Sequence, residues 1–215
     1  MFANFYNQSI RKLVIVFGNL FNEIYIRKSR ENDVIEKIRV PLTYSPKEKF
    51  YRRLREPSSI TDTTKNQITL PRLSFAMTEI AYDTSRKLNK TNARTIQTPS
   101  GEKFSIKQVV PYGFNFELVS YTKNIDDNLQ IMEQILPYFA PELVVKIRFN
   151  QVFESVDVPI TLTSVTNSED YEGTFEERRM LMCNYNFTVR SYVYGPVTDP
   201  KVIEETNFGN INFLE

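Results

Sequence analysis

Carboxylates are the side chains with the best claim to chemistry in this 215-residue chain. Asp126-Asp127 and Glu169-Asp170, the latter followed by Glu172, Glu176 and Glu177, offer the paired acids that a magnesium or hydrolytic site needs. Each set also has an ordinary electrostatic explanation. Asp126 and Asp127 open a helical pattern, where the helix dipole favours anions. The second set falls in a predicted loop before the last strand, beside Arg178 and Arg179, where local ion pairing accounts for it. Histidine is absent, which removes the commonest general base near neutral pH, every Ser-His-Asp or Cys-His arrangement and most transition-metal sites. The one cysteine, Cys183, lies in an alternating apolar run and reads as a buried, passive thiol. Six glycines, at 18, 101, 113, 173, 195 and 209, are scattered and build no phosphate-binding turn. These residues argue against an enzyme, and they imply neither a cofactor nor a metal.

Cations are the second candidate group. Arg52, Arg53 and Arg55 share a helix predicted over 46–55 with Lys47 and Lys49, and Phe50, Tyr51 and Leu54 give it one sticky side. Arg86, Lys87, Lys90 and Arg94 lie in the polar stretch 83–107, and Arg178-Arg179 precede the last strand. Together these nine are the candidate interface to another subunit or to a partner protein. Arginine suits that role because its planar fork pairs with carboxylates two bonds at a time. A satisfied local pair is the alternative for Arg178-Arg179, and solvent or an acidic neighbour for the basic helix.

The net charge of +1 conceals a division. Residues 1–100 carry 18 Lys/Arg against 9 Asp/Glu, and residues 101–215 carry 9 against 17. Opposite charges so separated can pair between copies and fix one docking register, or neutralise each other inside one fold. The basic half also raises nucleic-acid binding, which would weaken steeply with salt.

Elements that must position these groups follow from periodicity. Ile10, Leu13, Val14, Phe17 and Leu20 form a helical stripe over 8–20, with Asn7 as a candidate cap. Strands are predicted at 21–28 and 34–42, paired as a hairpin, and Ser45-Pro46 with Glu48 has the form of a capping box. A long strand follows over 68–82, with Pro71 at its start or on an edge. The stretch 83–107 breaks the rhythm and is predicted as a loop or hairpin arm, turned near Gly101. Alternation resumes through Tyr112, Phe114, Phe116 and Leu118. Ile125, Leu129, Met132, Ile135, Leu136 and Phe139 then form the clearest helical stripe, which Pro137 ends or kinks. Three more alternating strands run through Leu143–Phe149, Val156–Leu162 and Leu181–Ser191. Alternation of this kind belongs to a half-covered sheet. The predicted fold is therefore α+β: a mainly antiparallel or mixed sheet flanked by two or three helices, with a protruding loop or hairpin arm. Residues 1–197 read as one domain with the arm at 83–107, and 198–215 as a polar tail. No apolar run approaches membrane-spanning length, and the N-terminal stretch reads as an amphipathic helix rather than a signal peptide.

As an ordered set these segments resemble the tail sheath stabiliser and completion proteins of large contractile-tailed phages. The resemblance is carried by Phe5-Tyr6-Asn7 with Phe17-Gly18-Asn19-Leu20-Phe21, by Ile38-Arg39-Val40-Pro41-Leu42-Thr43-Tyr44, and by Leu70-Pro71-Arg72. Tyr82-Asp83 with Arg86-Lys87-Leu88-Asn89, Glu133-Gln134-Ile135-Leu136-Pro137-Tyr138-Phe139, Arg178-Arg179 and Tyr194-Gly195-Pro196-Val197 continue it. It is loosest over 84–107 and in the last 15 residues. The resemblance implies a non-enzymatic terminator: a hexameric ring on the last ring of tail tube and sheath, assembled in the host cytoplasm and kept in the virion at the head-proximal tail end. The partners it implies are further copies of the chain, the sheath protein, a tube or tube-terminating protein and the head-completion (neck) proteins. Contact with DNA in the channel would be transient, and no membrane is involved. A portal-to-tail adaptor is the nearest alternative.

Overall fold

A computed structural model gives the fold and describes residues 4–29, 35–49, 70–89, 93–97, 103–107, 109–149, 155–170 and 180–198. In chain order, helix α1 (Ser9–Leu20) is followed by strands β1 (Tyr25–Ser29), β2 (Ile35–Arg39), β3 (Leu42–Tyr44) and β4 (Arg72–Tyr82). A 3-10 turn (Thr84–Arg86) leads to β5 (Ala93–Gln97), β6 (Lys103–Lys107) and β7 (Val110–Thr122). Helix α2 (Ile125–Ile135), a 3-10 turn (Leu136–Tyr138), β8 (Glu142–Ile147), β9 (Val156–Asp170), β10 (Met180–Val193) and β11 (Val197–Thr198) complete the order.

Six strands form the main sheet in the order β3-β4-β7-β10-β9-β8. All neighbours are antiparallel except β3 and β4, so the sheet is mixed. β1 and β2 pair as the predicted hairpin, and β5, β6 and β11 make a separate three-stranded sheet in which β6 is central. The predicted α+β class, with its flanking helices and its hairpin, is the observed one.

Alternation along β7 sends Phe114, Phe116 and Leu118 to the inner face, where they meet Cys183, Tyr185, Phe187 and Val189 of β10. Leu13 and Phe17 of α1, Ile131 and Ile135 of α2, and Ile24, Ile26 and Val40 around the β1–β2 hairpin close over this layer. Phe17 is its hub. Its ring centroid lies 4.4 Å from Phe116, 5.1 Å from Phe21, 5.3 Å from Phe187 and 5.6 Å from Phe75. Gly18 is what lets α1 sit this low, because a Cβ there would stand 2.7 Å from the Phe75 ring. Cys183 is fully buried, and desolvation raises its thiol pKa, which suits a passive packing role.

Three sequence expectations change. Asn7 does not cap α1: Gln8 holds the N-cap position with φ 56°, and the Asn7 amide donates to the carbonyls of Tyr194 (3.1 Å) and Gly195 (2.8 Å). An amide reaching the end of β10 is unavailable to its own helix. The stripe read along α2 is split: Ile135 is buried and Met132 and Phe139 pack against the core, but the stripe's first turn faces outward. Asp127, Asn128, Ile131 and Ile135 are buried, while Ile125 is 59% and Leu129 48% exposed. Glu169-Asp170 are not in a loop, since β9 runs through both and pairs them with Leu181 and Met180. Around Ser45, residues 47–49 are helical, the Ser45 hydroxyl donates to the Pro46 carbonyl (3.3 Å), and residues 50–55 of the predicted basic helix lie outside the described residues.

Candidate assembly surface

Asp83 follows the last residue of β4 and accepts from the Ser85 amide (3.1 Å) and hydroxyl (2.5 Å), closing the 3-10 turn. Its other oxygen meets Arg86 Nε at 2.7 Å. Arg86 Nη2 donates to the Tyr112 carbonyl (3.4 Å), and the guanidinium carbon lies 5.0 Å from the centre of the Tyr192 ring. One side chain thus ties the end of β4 to the start of β7 and the end of β10. The Ser85 hydroxyl first, and then Arg86, hold the Asp83 carboxyl at about 2, below its ordinary 3.8. A depressed carboxylate keeps its contribution above about pH 4 and loses it as pH falls toward 2, so the turn withstands all but strong acid.

Of the nine predicted interface cations, Arg86 is therefore engaged within its own chain. Lys87 beside it is exposed. Arg94 lies in β5 at the register position opposite Ile106. Arg52, Arg53, Arg55, Lys90, Arg178 and Arg179 lie outside the described residues. Met180, which follows Arg179, opens β10 at the end of the sheet remote from Arg86; at ~3.4 Å per residue the two ends are about 40 Å apart.

Of the acids that first suggested catalysis, Asp126 and Asp127 are absorbed structurally, while Glu172, Glu176 and Glu177 lie outside the described residues. Asp127 is buried and ion-paired with Lys28 (3.4 Å), and Asp126 accepts from Gln130 (2.8 Å). Among the described residues no group of three Cys, Asp or Glu side chains converges to hold a metal. A groove of about 720 Å³ between the β1–β2 hairpin and α2 is lined by Tyr25, Arg27, Lys37, Gln130, Glu133 and Gln134, among others. Two of those linings are already committed. Gln134 accepts from the Tyr25 amide (3.2 Å) and donates to its carbonyl (2.6 Å), and Gln130 does the same for Arg27 (2.8 and 3.1 Å). Spaced four apart on the helix, the two amides act on β1 as a neighbouring strand would.

The outer face of the sheet is divided. Toward one end Val119, Tyr121 and Met182 are buried with Leu70 and Met180 against them. Toward the other end, a chain of polar side chains crosses four strands. Asn115 donates to Glu79 (2.9 Å) and accepts from Thr188 (3.0 Å), which stands 3.3 Å from Thr163. Sequence reasoning missed both this ladder and the exposed apolar side of α2, where Tyr138 beyond the helix end is 69% exposed. The signals were present as Asn and Thr at alternate positions of β7 and β10, and as the two glutamines on α2.

Residues 4–214 match the family described as T4-like virus Myoviridae tail sheath stabiliser. The tail completion protein gp15 of Enterobacteria phage T4 is 32% identical over 214 residues, covering 97% of this chain and 78% of that protein.

Proposed function

The chain belongs to the tail sheath stabiliser family of T4-like contractile-tailed viruses, and on that premise we propose that copies of it close the finished tail as a six-membered ring. It is a structural, non-catalytic virion protein of the head-proximal tail end, where it completes the tail and stabilises the sheath. The observation that carries this is the family match over 4–214, which takes in α1, α2 and the three sheets of the described residues.

In this reading one surface of the ring sits on the last sheath and tube subunits, including a tube-terminating protein, and the opposite surface receives the head-completion proteins. DNA touches the channel only in passage. A ring of identical copies uses a heterologous interface, one side of each subunit against the other side of the next. The basic first half and the acidic second half are suited to such a pairing. Residues 1–197 act as one domain, the arm at 83–107 clasps a neighbouring or sheath subunit, and 198–215 form a polar tail. Interface contacts are assigned to Arg52, Arg53, Arg55, Lys87, Lys90, Arg94, Arg178 and Arg179, with Arg86 shaping the base of the arm.

Electron microscopy of tails assembled with and without the chain tests the reading. Its addition should place a ring on the sheath end remote from the baseplate and keep the sheath extended. Equal sheath retention without it would overturn the reading. Glu at Arg52, Arg53 and Arg55 should lower ring yield, and an unchanged yield removes that helix from the interface.

A further inference from the structure

Strand lengths in the main sheet are mismatched at both margins. β4 spans Arg72–Tyr82, but β3 covers it only at Leu73, Ser74 and Phe75, with two flanking bonds, from the Leu73 amide to the Pro41 carbonyl and from the Ser45 amide to the Phe75 carbonyl (2.9 Å each). Residues 78–82 are exposed and have no second strand partner among the described residues. On the other margin β9 spans Val156–Asp170, yet β8 covers it only from Val156 to Thr161. Residues 162–170 likewise have no second partner among the described residues.

The two uncovered stretches lie at different heights on the sheet. Following the register across the strands, β3 stands level with Leu118–Ser120 of β7, and through β10 those positions lead to residues 165–167 of β9. β8, through β9 and β10, stands level with the start of β7, and there β4 is bare at 79–82. Each margin therefore has a projection at the height where the other has a recess. We propose that neighbouring copies join through these stepped margins, β3 of one copy lying along residues 165–167 of the next and β8 of that copy lying along residues 78–82 of the first.

Strand directions agree with the joint. β3 runs with β4, and β9 runs against it, so β3 meets β9 of the neighbour antiparallel and β8 meets β4 parallel. Rotation about an axis along the strands preserves both relations without sliding one copy past the other, and it can repeat around a ring. The one irregularity on each edge, at Thr163 of β9 and at Thr78 of β4, lies at or beyond the limit of the paired stretch, and the rest of the β9 edge carries none of the devices that keep an edge solitary. Residues 162–168, Leu-Thr-Ser-Val-Thr-Asn-Ser, contain no charge, proline or glycine. A sheet continued from copy to copy binds chiefly through main-chain hydrogen bonds, with side chains setting the fit.

The joint rests on the ring reading, and cysteine pairs separate the two. Ala81 of β4 and Val144 and Lys146 of β8 are exposed on the outer side of the sheet. Within one chain β4 and β8 are four strand spacings apart, about 19 Å, far beyond the ~7 Å limit for a disulfide. Buried Cys183 makes the unmodified chain the control. On assembled tails, oxidation of Ala81→Cys with Val144→Cys, or with Lys146→Cys, should give a ladder of linked copies that no single variant gives. Rings visible by microscopy with no ladder from either pair overturn the joint and leave the ring standing; absence of rings from the unmodified chain on tails removes both. Should the double variants fail to assemble, amide exchange on unmodified rings decides. Residues 78–82 and 165–167 should slow by about tenfold or more relative to dispersed subunits, and unchanged exchange there refutes the joint.

Discussion

Helix α1 meets the inner face of the sheet through Leu13 and Phe17, with Gly18 letting the backbone close on Phe75, whereas α2 meets the same core with a face that mixes Ile131 and Ile135 with Asp127 and Asn128. The first is held by rings. The second is oriented by polar contacts: Gln130 and Gln134 on the β1 backbone, Asp127 on Lys28, and the Asn128 side-chain Oδ1 accepting from the buried Ser120 hydroxyl (2.9 Å). Hydrophobic burial is non-directional and tolerates rotation of a helix about its axis, while buried polar groups left unpaired do not. The difference shows which force decides rotation when both are available. In α2 the amides help fix the rotation, which leaves Ile125 and Leu129 of the apolar stripe outward while Met132 and Ile135 stay on the core.

Replacing Phe17 with Ala should do the most damage, because the cavity would open among four other rings: about 3–5 kcal/mol lost in denaturant unfolding. A loss below about 1 kcal/mol would break the account of α1. Gln130→Leu combined with Gln134→Leu keeps the bulk of both side chains and removes the β1 contacts. It should cost about 1–3 kcal/mol and speed amide exchange at Tyr25 and Arg27, and unaltered exchange there would show that the amides do not hold the hairpin. Gly18→Ala sets a clash with Phe75 against a helix-propensity gain of about 1 kcal/mol; a net loss of about 1 kcal/mol is expected in thermal melts. A stabilised variant would mean that Phe75 yields easily. Ile125→Gln with Leu129→Gln should stay within about 0.5 kcal/mol of the parent in the isolated subunit, the smallest effect of the four. A loss above about 2 kcal/mol would place those side chains in the core after all.

Periodicity in the sequence located both helices and the long strands, because spacing reports which residues share a side. It does not report which side docks, and α2 is the case where that gap mattered. The end of β9 was hidden for a related reason. Thr166, Asn167, Ser168, Glu169 and Asp170 offer no apolar alternation to read, and Thr166 and Asn167 are exposed at the margin of the sheet. β5 and β6 were foreseen only as one of two alternatives, a loop or a hairpin arm turned near Gly101, and their antiparallel pairing is that of the hairpin. For the assembly surface, charge identified arginines but not their partners. Arg86 has one partner, Asp83, only three residues away, but Tyr112 and Tyr192, which also hold it, are distant along the chain.

Asn7 reaches carbonyls 187 and 188 residues further along the chain, and Lys12 Nζ donates to the Phe149 carbonyl at 2.7 Å. Phe17, too, waits for Phe187. A ribosome adding ~5–20 residues per second needs about 10–40 s to supply those partners after α1 has been made. Through that interval α1 lacks the last of the partners that fix it. Completion of the subunit is thus timed by β10: a nascent chain stopped before it has a sheet without one of its two central strands, and an α1 without Phe187 and the carbonyls of Tyr194 and Gly195.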